Sequence, residues 1–453
     1  MIGETLTKLG LVPATIVICI QQVLRKKRAL FPIIKVAPYK FETMNMKICM
    51  LLHEFYPNDI RVSKESSALI DAGFEVHLIC LQRKGEAQEE VVNGIKVSRI
   101  PMAQSFFWRG IWDITLVIFG FHQPLFYKRL KQKMRTENFS AIHVHDLPLA
   151  KTALNLKRLF PSTKVVLDFH ENYPEALKVW FQWKSNPIIR LKNKVFFGFD
   201  KWLKFEKVAA EKADHLIVVV EEMKVRIQQI HNIDSNKVSV VTNSESVEFL
   251  NQKVFHDVYK KEPDDFILAY TGNVGPHRGV DTIIKALAHL KQYPQIKLEI
   301  TGKLSIDTEK WLLNLAQNCG VEHMVKLNGY QPFEKFYSYM ALADVNLIPH
   351  NRNGHTDNTI PHKLYQGMLV GKPVLVSDAP PLKRVVDELQ SGLVFEAENE
   401  RDCAKKIESM FLNPTLTAKL GKNGFLSTTK KMHNWETEGK KLASLYHALI
   451  DSK

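Results

Sequence analysis

Short apolar segments and amphipathic segments alternate along the chain from residue 47 onwards. The apolar segments are short and rich in β-branched side chains, which favours buried strands over buried helices. The segments between them, such as 62–73 and 201–213, repeat apolar residues at helical spacing. Strands that alternate with helices form a parallel sheet with helices on both faces. The first six predicted strands cover 47–52, 75–81, 141–146, 164–170, 215–220 and 238–243.

The alternation stops in a polar stretch at 244–265 and then starts again, so the same unit occurs in two groups. We predict an α/β protein with two doubly wound Rossmann-like domains that face each other across a cleft. The N-terminal domain covers 47–245 and the C-terminal domain covers 246–430. A final helix within 431–453 is expected to pack back toward the N-terminal domain. The second group of predicted strands covers 266–272, 297–302, 325–330, 345–350, 373–378 and 392–397.

Ligands of doubly wound sheets bind beyond the carboxyl ends of the strands. Polar residues and a glycine stand at these ends in both predicted domains. We therefore expect the functional side chains to lie around the cleft. The strand-end residues are His53, Asp146, His170, Asn243, Gly272, His350 and Asp378.

The composition is that of a soluble globular protein, with 45% hydrophobic and 24% charged residues. A formal net charge of +14 indicates an anionic partner such as a nucleotide, a phospholipid or a nucleic acid. No motif combines aromatic and basic residues as nucleic-acid readers do, so we expect no nucleic-acid partner. The five cysteines are scattered and form no Cys-x-x-Cys, which argues against a disulfide framework or a zinc site and favours the cytoplasm.

The N-terminal extension, residues 1–46, contains an apolar stretch at 10–20 that Pro13 interrupts. This stretch is shorter than the roughly 20 apolar residues that span a bilayer. The basic run at 25–28 follows it, whereas a signal peptide carries its charges first. We expect a poorly ordered or membrane-touching extension. A start of the native chain near Met46 and a true anchor are the alternatives.

Residues 105–135 are rich in aromatic side chains and end in a basic cluster. A buried helix pair explains part of this composition. An interfacial patch on an anionic membrane surface also has it. The segment therefore leaves a peripheral position at the cytoplasmic face of the membrane open.

The stretch "AYTGNVGPHRGVDTIIKALAHL" predicts a strand, a glycine-bearing turn and a helix. The turn contains Gly272, Gly275 and Gly279, and we expect Asp281 to cap the helix. Backbone N–H groups at such a turn attract phosphate oxygens, and Arg278 can bind phosphate in bidentate fashion. The spacing differs from Gly-x-Gly-x-x-Gly, so it does not predict a nicotinamide site. An ordinary strand–helix turn is the alternative.

The stretch "DNTIPHKLYQGMLVGKPVLVSD" predicts a short helix between Pro361 and Gly371, followed by a buried strand. Lys363 lies in the first turn, where a cation opposes the helix dipole. That position is unfavourable for a structural lysine and suits one that binds phosphate. Gln366, one turn later, can bond a ribose hydroxyl. A solvated Lys–Gln helix face is the alternative.

A third group of polar residues belongs to the N-terminal domain. His170 ends a strand within "DFHENYP", and Asp146 ends another within "HVHD". Asp59 and Arg61, in "YPNDIRV", reach the same edge of the domain. None of these residues has metal-ligand spacing, and no Asp-x-Asp occurs in the chain. We therefore expect no metal and no metal-bound nucleotide.

Together these motifs resemble those of the retaining GT-B glycosyltransferases, family 4 in particular, from about residue 47 to the C-terminus. The glycine-bearing turn is similar to the family's Gly-Arg-x-x-x-x-Lys-Gly donor loop. The segment "GYQPFEKFYSYMALADVNLIPH" resembles the one that leads to the family's Ala-Asp pair. "PHKLYQGMLVGKPVLVSD" is similar to the signature P-x-K-L-x-E-x-M-x-x-G-x-P-V. The resemblance implies the GT-B architecture.

The resemblance also implies roles for single residues. Arg278 stands at the lysine of the donor loop, and Asn273 stands at its arginine, so one expected phosphate charge is absent. The family's Glu-x7-Glu pair falls on Asn358 and Gln366, and both carboxylates are lost. Gln366 can still accept a bond from the ribose through its carbonyl. His170 falls at the active-site histidine.

These assignments divide the expected site into three groups. The catalytic group is His170, Arg278 and Lys363. The acceptor-side group is Asp59, Arg61 and Asp146. The donor-binding group is Gly272, Asn273, Gly275, Asp357, Asn358, Thr359 and Gln366, of which Asp357 or Asn358 is expected to contact sugar hydroxyls.

The resemblance implies a hexosyltransferase that moves a sugar from a nucleotide diphosphosugar to a hydroxyl of an envelope glycan or a lipid-linked acceptor, with retention. No cofactor is expected besides the donor, because fixed cations and N–H dipoles stabilise the departing diphosphate. Retention without an obvious carboxylate nucleophile suggests same-face attack by the acceptor. A sugar-nucleotide epimerase and a non-catalytic nucleotide-sugar binding protein are the alternatives. The base, the sugar and the acceptor stay open.

Overall fold

The computed structural model describes residues 46–102, 114–182, 187–430 and 433–451. The expectations for the N-terminal extension and for residues 105–113 concern parts of the chain outside these ranges. Two parallel sheets, one of eight and one of six strands, form the framework. The strands are β1 Lys47–Phe55, β2 Glu75–Gln82, β3 Glu89–Val92, β4 Ile95–Pro101, β5 Phe139–His145, β6 Lys164–Phe169, β7 His215–Val218, β8 Val238–Val240, β9 Phe266–Thr271, β10 Ile296–Thr301, β11 Val325–Gly329, β12 Val345–Ile348, β13 Val374–Ser377 and β14 Gly392–Phe395.

Helices cover the faces of both sheets. The helices are α1 Ile60–Asp71, α2 Pro124–Thr136, α3 Ala150–Lys157, α4 Tyr173–Gln182, α5 Pro187–Phe196, α6 Phe199–Lys212, α7 Glu221–His231, α8 Val280–Leu287, α9 Ile306–Cys319, α10 Phe333–Ala341, α11 Lys363–Leu369, α12 Pro380–Leu389, α13 Glu400–Leu412, α14 Pro414–Thr429 and α15 Trp435–Asp451.

The N-terminal sheet has the strand order β3-β4-β2-β1-β5-β6-β7-β8. All neighbours are parallel except β3, which pairs antiparallel with β4. The hydrophobic pattern did not predict the β3–β4 hairpin. β3 reads "EEVV" and is largely exposed, so this edge strand lacks the continuous apolar run that marks strands buried on both faces.

The C-terminal sheet has the order β11-β10-β9-β12-β13-β14, with every pair parallel. Its inner strands β9, β10, β12 and β13 are largely buried, whereas the edge strands β11 and β14 are partly exposed. In each sheet the strand order reverses at the central strands, which opens a crevice at their carboxyl ends. The predicted fold class, two doubly wound α/β domains, is confirmed.

The last helix, α15, packs against α1 of the N-terminal sheet. The two helices approach closely at Gly439, where an added Cβ would lie 2.9 Å from the Cβ of Ala68. Tyr446 of α15 is fully buried, and its hydroxyl lies 2.6 Å from Nδ1 of His143 at the end of β5. The end of the chain thus supports the N-terminal sheet.

Several polar contacts join the two halves across the cleft. Arg384 of α12 forms a bidentate ion pair with Glu222 of α7, at 2.8 and 3.0 Å. The Asn172 side chain donates to the carbonyl of Gly354 at 2.7 Å. Among the described helices none is long and apolar enough to cross a bilayer.

Candidate active site

A cavity of about 330 Å³ lies between the two sheets. We call it the cleft cavity. Side chains of both halves line it, and the turn after β9 forms one wall. Eight of the predicted site residues meet here, namely Arg61, His170, Gly272, Asn273, Arg278, Thr359, Lys363 and Gln366.

Arg278 and Lys363 supply positive charge on the C-terminal side of the cleft cavity. The Lys363 ammonium lies 3.8 Å from the ring centroid of Tyr270 and donates to the carbonyl of Thr271 at 3.3 Å. The Arg278 guanidinium donates to His350 Nε2 at 3.1 Å. Within the described parts of the chain neither cation forms an ion pair with a carboxylate. Burial and the charge of Arg278 hold the pKa of Lys363 well below its usual value. This pair would bind a polyanion strongly.

Four histidines surround these cations and are held neutral. Burial and the charge of Arg278 lower the pKa of His277 to about 4 and that of His355 to about 3. The same two causes hold the pKa of His350 well below its usual value. Burial and the charge of Lys64 lower the pKa of His362 to about 4. Neutral His350 can therefore accept the hydrogen bond from Arg278.

The turn after β9 depends on Gly279. Its φ is +69°, and an added Cβ would lie 1.7 Å from the carbonyl oxygen of Pro349. Gly279 is also the N-cap of α8, which corrects the expectation that Asp281 caps this helix. Asp281 lies in the first turn and pairs with Lys285 at 2.9 Å.

The helix after the Pro-His-Lys step begins at Lys363 and has seven residues. The helix end contributes only the partial charge of its N–H groups, so the full positive charge at this place is that of the Lys363 side chain.

Gln366 contacts an acid from the other half of the molecule. Its Nε2 donates to Oε2 of Glu245 at 2.7 Å, and both side chains are buried. Glu245 also lies 3.6 Å from the Lys64 ammonium. A carboxylate at position 366 would face another carboxylate at hydrogen-bond distance. The amide suits this site because Glu245 is there, and the carbonyl of Gln366 can still accept a bond.

Three predicted donor-binding residues, Gly275, Asp357 and Asn358, do not line the cleft cavity, and their assignment stays a prediction. Asp357 is bound to Arg352 by two contacts of 2.7 and 3.0 Å. The Asn358 amide donates to the carbonyl of Gly354 at 2.8 Å. Gly275 is the N-cap of a short 3₁₀ turn and is not among the lining residues. The sequence spacing identified the loops correctly but could not show which side chains turn away.

A second cavity, of about 550 Å³, lies on the N-terminal side, and we call it the N-terminal cavity. The predicted acceptor-side residues Asp59, Arg61 and Asp146 all line it. Arg61 donates to both carboxylate oxygens of Asp59 at 3.0 and 2.7 Å and lies 3.9 Å from Asp146. Aromatic side chains, among them Tyr173 and Trp180, form another wall. The cavity thus combines fixed charges with aromatic surface.

A buried polar network lies behind His170. His170 Nε2 lies 3.1 Å from Asp168 and 3.2 Å from Nδ1 of His145. His143 lies 3.3 Å from Asp168, and Glu65 lies 3.6 Å from His170. Although burial opposes both shifts, the pairing with His170 holds the pKa of Asp168 well below its usual value, and Asp168 raises that of His170.

These five side chains include donor atoms of the kinds that bind zinc. Asp168 forms charge pairs with His143 and His170 at 3.3 and 3.1 Å, and we assign none of the five residues as a metal ligand. The network holds Nε2 of His170 inward. Its Nδ1 has no hydrogen-bond partner among the described residues, and the ring lines the cleft cavity.

The motifs did not single out two acids at the site. Glu171 follows the predicted His170 and lines both cavities. Its position next to His170, a predicted strand-end residue, is a sequence signal that could have identified Glu171. Glu245 lies 121 positions before Gln366 in the chain, and no local pattern connects the two.

The comparisons with known proteins agree with this architecture. The family model "Glycosyltransferase Family 4" matches residues 62–244, and "Glycosyl transferases group 1" matches residues 251–426. The chain belongs to the group 1 glycosyltransferases. The predicted family, the GT-B fold and a hexosyltransferase type of enzyme are thereby confirmed.

Individual group 1 relatives and solved structures show how far the likeness extends. The capsular polysaccharide biosynthesis glycosyltransferase CapM of Staphylococcus aureus is 24% identical over 278 residues, 58% of this chain and 69% of CapM. Sucrose-phosphate synthase from Thermosynechococcus elongatus superposes with a TM-score of 0.73 at 18% identity, over 90% of this chain and all of that one. Anabaena HepE in complex with UDP-glucose superposes with a TM-score of 0.63 at 14% identity, over 89% and 100%.

Proposed function

We propose that this group 1 glycosyltransferase transfers a sugar from a nucleotide diphosphosugar to an acceptor hydroxyl with retention of the anomeric configuration and without a metal. One observation carries the proposal: Arg278 and Lys363 face the cleft cavity together and form no ion pair with a carboxylate in the described part of the chain. Two such cations match the diphosphate of a donor and the charge that develops as it leaves.

The remaining walls of the cleft cavity fit the rest of the donor. The Gln366 carbonyl is available to the ribose, while Gly272 and Asn273 bring backbone close to the phosphates. The inward-held His170 presents Nδ1 to the sugar. HepE, which shares the fold, was solved with UDP-glucose, and this supports a sugar nucleotide as the donor.

The N-terminal cavity is the proposed acceptor site. Asp59 and Arg61 offer hydrogen bonds to hydroxyl groups, and Tyr173 and Trp180 offer apolar ring faces. This combination suits a glycan, and the name of CapM supports an envelope polysaccharide or its lipid-linked precursor. The acceptor hydroxyl then attacks the anomeric carbon on the face from which the diphosphate departs.

The neighbourhood of α2 supports contact with an anionic membrane surface as a part of this function. Phe126, Leu130 and Met134 are buried and belong to the core. Ile118 and Phe119, which precede the basic helix α2 in the chain, are 62% and 55% exposed. Exposed apolar side chains followed by basic residues support an interfacial role for this part of the segment.

The test is a binding screen of UDP-, GDP- and ADP-sugars, followed by NMR of the anomeric proton of the product. We expect one sugar nucleotide to bind and a product with the configuration of the donor. An inverted product contradicts retention. Binding without any transfer favours a non-catalytic binding protein, and conversion of the free donor into its epimer favours the epimerase.

A further inference from the structure

Glu171 lies where the two cavities meet. It follows directly after β6 and His170. Among the described residues only Glu171 and Arg61 line both the cleft cavity and the N-terminal cavity. An acceptor that enters from the N-terminal cavity and reaches the donor therefore passes this carboxyl group.

The carboxyl of Glu171 is poorly satisfied by its surroundings. Its Oε2 is buried and has no hydrogen-bond partner in the described structure. Burial and then the charge of Asp146 raise its pKa to about 7, against the opposing charges of Arg61, Arg278 and His170. A carboxyl in this state exchanges a proton readily near neutral pH.

We propose that Glu171 takes the proton of the acceptor hydroxyl during sugar transfer, a role that rests on the proposed function. The acceptor oxygen forms a bond to the anomeric carbon while the bond from that carbon to the diphosphate breaks. The proton moves from the hydroxyl to Oε2 of Glu171. The electron pair of the broken bond leaves on the diphosphate, opposite Arg278 and Lys363, and solvent later removes the proton from Glu171.

The charges of the site favour Glu171 over the other available base, the departing diphosphate. Arg278 and Lys363 stabilise the negative charge of the diphosphate, and the same attraction lowers its affinity for a proton. Asp146 acts in the opposite direction on Glu171 and makes it more basic. The diphosphate thus departs toward the cations of one half of the cleft, and the proton goes to Glu171 of the other half.

The experiment uses the sugar nucleotide that binds in the screen and measures release of its sugar with water as the acceptor, between about pH 5.5 and pH 9. We expect Glu171→Gln to lower kcat by about 100-fold and to abolish the rise of kcat with pH through about 7. The Kd of the donor should change by less than about three-fold, since the diphosphate cations remain. In Glu171→Ala, added formate should restore part of the rate.

Glu175→Gln is the matched control, because Glu175 lies in the first turn of α4, pairs with Lys178 at 2.9 Å and lines neither cavity. Its kcat and pH profile should stay those of the wild type. A Glu171→Gln enzyme with unchanged kcat and pH profile would overturn the proposal. The proposal would also be overturned if Glu171→Gln bound the donor more weakly at an unchanged kcat, because Glu171 would then act as a counter-charge for Arg278. A glycosyl ester trapped on Glu171 by a fluorinated donor would overturn it as well. A wild-type enzyme that binds no UDP-, GDP- or ADP-sugar in the binding screen contradicts the proposed function itself.

Discussion

Replacing Gln366 by glutamate tests why this site holds an amide. The wild-type Nε2 donates to Oε2 of Glu245 over 2.7 Å within a buried contact. Gln366→Glu removes the donor and places a second carboxylate at the same distance. Two carboxylates that share a buried site cannot both ionise freely, so the pKa of the introduced carboxyl is raised.

The expected cost depends on pH. Two like charges about 4 Å apart repel by about 4 kcal/mol at the effective dielectric of a protein, and Lys64, 3.6 Å from Glu245, offsets part of this. The folded variant can avoid the repulsion by binding a proton, which at pH 5 costs only about 1 kcal/mol relative to an ordinary glutamate. Since the folded state then binds more protons than the unfolded state, stability falls as the pH rises. We expect a loss of about 3 to 4 kcal/mol at pH 8 and about 1 kcal/mol at pH 5.

Urea denaturation at pH 5 and at pH 8 measures both values. Gln366→Met is the uncharged control, and it should lose about 1.5 to 3 kcal/mol at both pH values because it removes one hydrogen bond to a charged group. The double change Glu245→Gln with Gln366→Glu should recover most of the stability, since it reverses the donor and the acceptor of the same bond.

Donor binding should weaken in Gln366→Glu at pH 8, because a further negative charge then faces an anionic ligand. Equal stability of wild type and variant at both pH values would refute the contact with Glu245. The same conclusion follows if the double change is no more stable than Gln366→Glu alone. Tighter donor binding by the variant would show instead that Gln366 replaces an acid that the site still prefers.

Four further predictions concern the donor and the membrane. Arg278→Ala and Lys363→Ala should each lower turnover more than about ten-fold, because each removes a charge opposite the leaving diphosphate; near-normal turnover in both would contradict this role. Donor affinity should fall as the pH rises, since the empty site depresses the pKa of Lys363 and a bound diphosphate raises it; calorimetry in two buffers of different ionisation enthalpy detects the proton uptake. EDTA should leave kcat unchanged, and activity restored only by added metal would contradict metal independence. Serine at Ile118, Phe119 and Leu125 should release the protein from anionic vesicles, with neutral vesicles as the control; unchanged binding would limit these side chains to a structural role.

The framework was predictable because parallel strands are buried on both faces. The inner strands β9, β12 and β13 carry short apolar runs and are buried almost throughout, which a solvated element would not show. The β3–β4 hairpin was missed because its exposed edge strand, Glu89–Val92, is half acidic. Local sequence therefore predicts the strands that are buried on both faces, and it misses an edge strand that is exposed to solvent.

The sequence predicted which loops form the site better than it predicted which of their side chains face the cleft cavity. The spacing of glycines around Arg278 and the Pro-His-Lys step at Lys363 identified two segments whose cations line the cleft cavity. Asp357 stands in the expected loop but is bound to Arg352. The ion pair with Arg352 decides where the Asp357 side chain points. A motif does not show which cations lie near a side chain in the folded protein.

Gln366 and Glu171 show how charge is placed in this cleft without the acids of the family pattern. The carboxylate missing at position 366 is present on Glu245, which reaches the same point from the other half of the molecule. The negative charge therefore depends on the two halves being together, whereas a glutamate at 366 would carry it within one half. Glu171 likewise reaches both cavities from the N-terminal side. A donor bound between the halves thus meets cations from one side and carboxylates mainly from the other, and both the binding of the diphosphate and the removal of the proton should require a closed cleft.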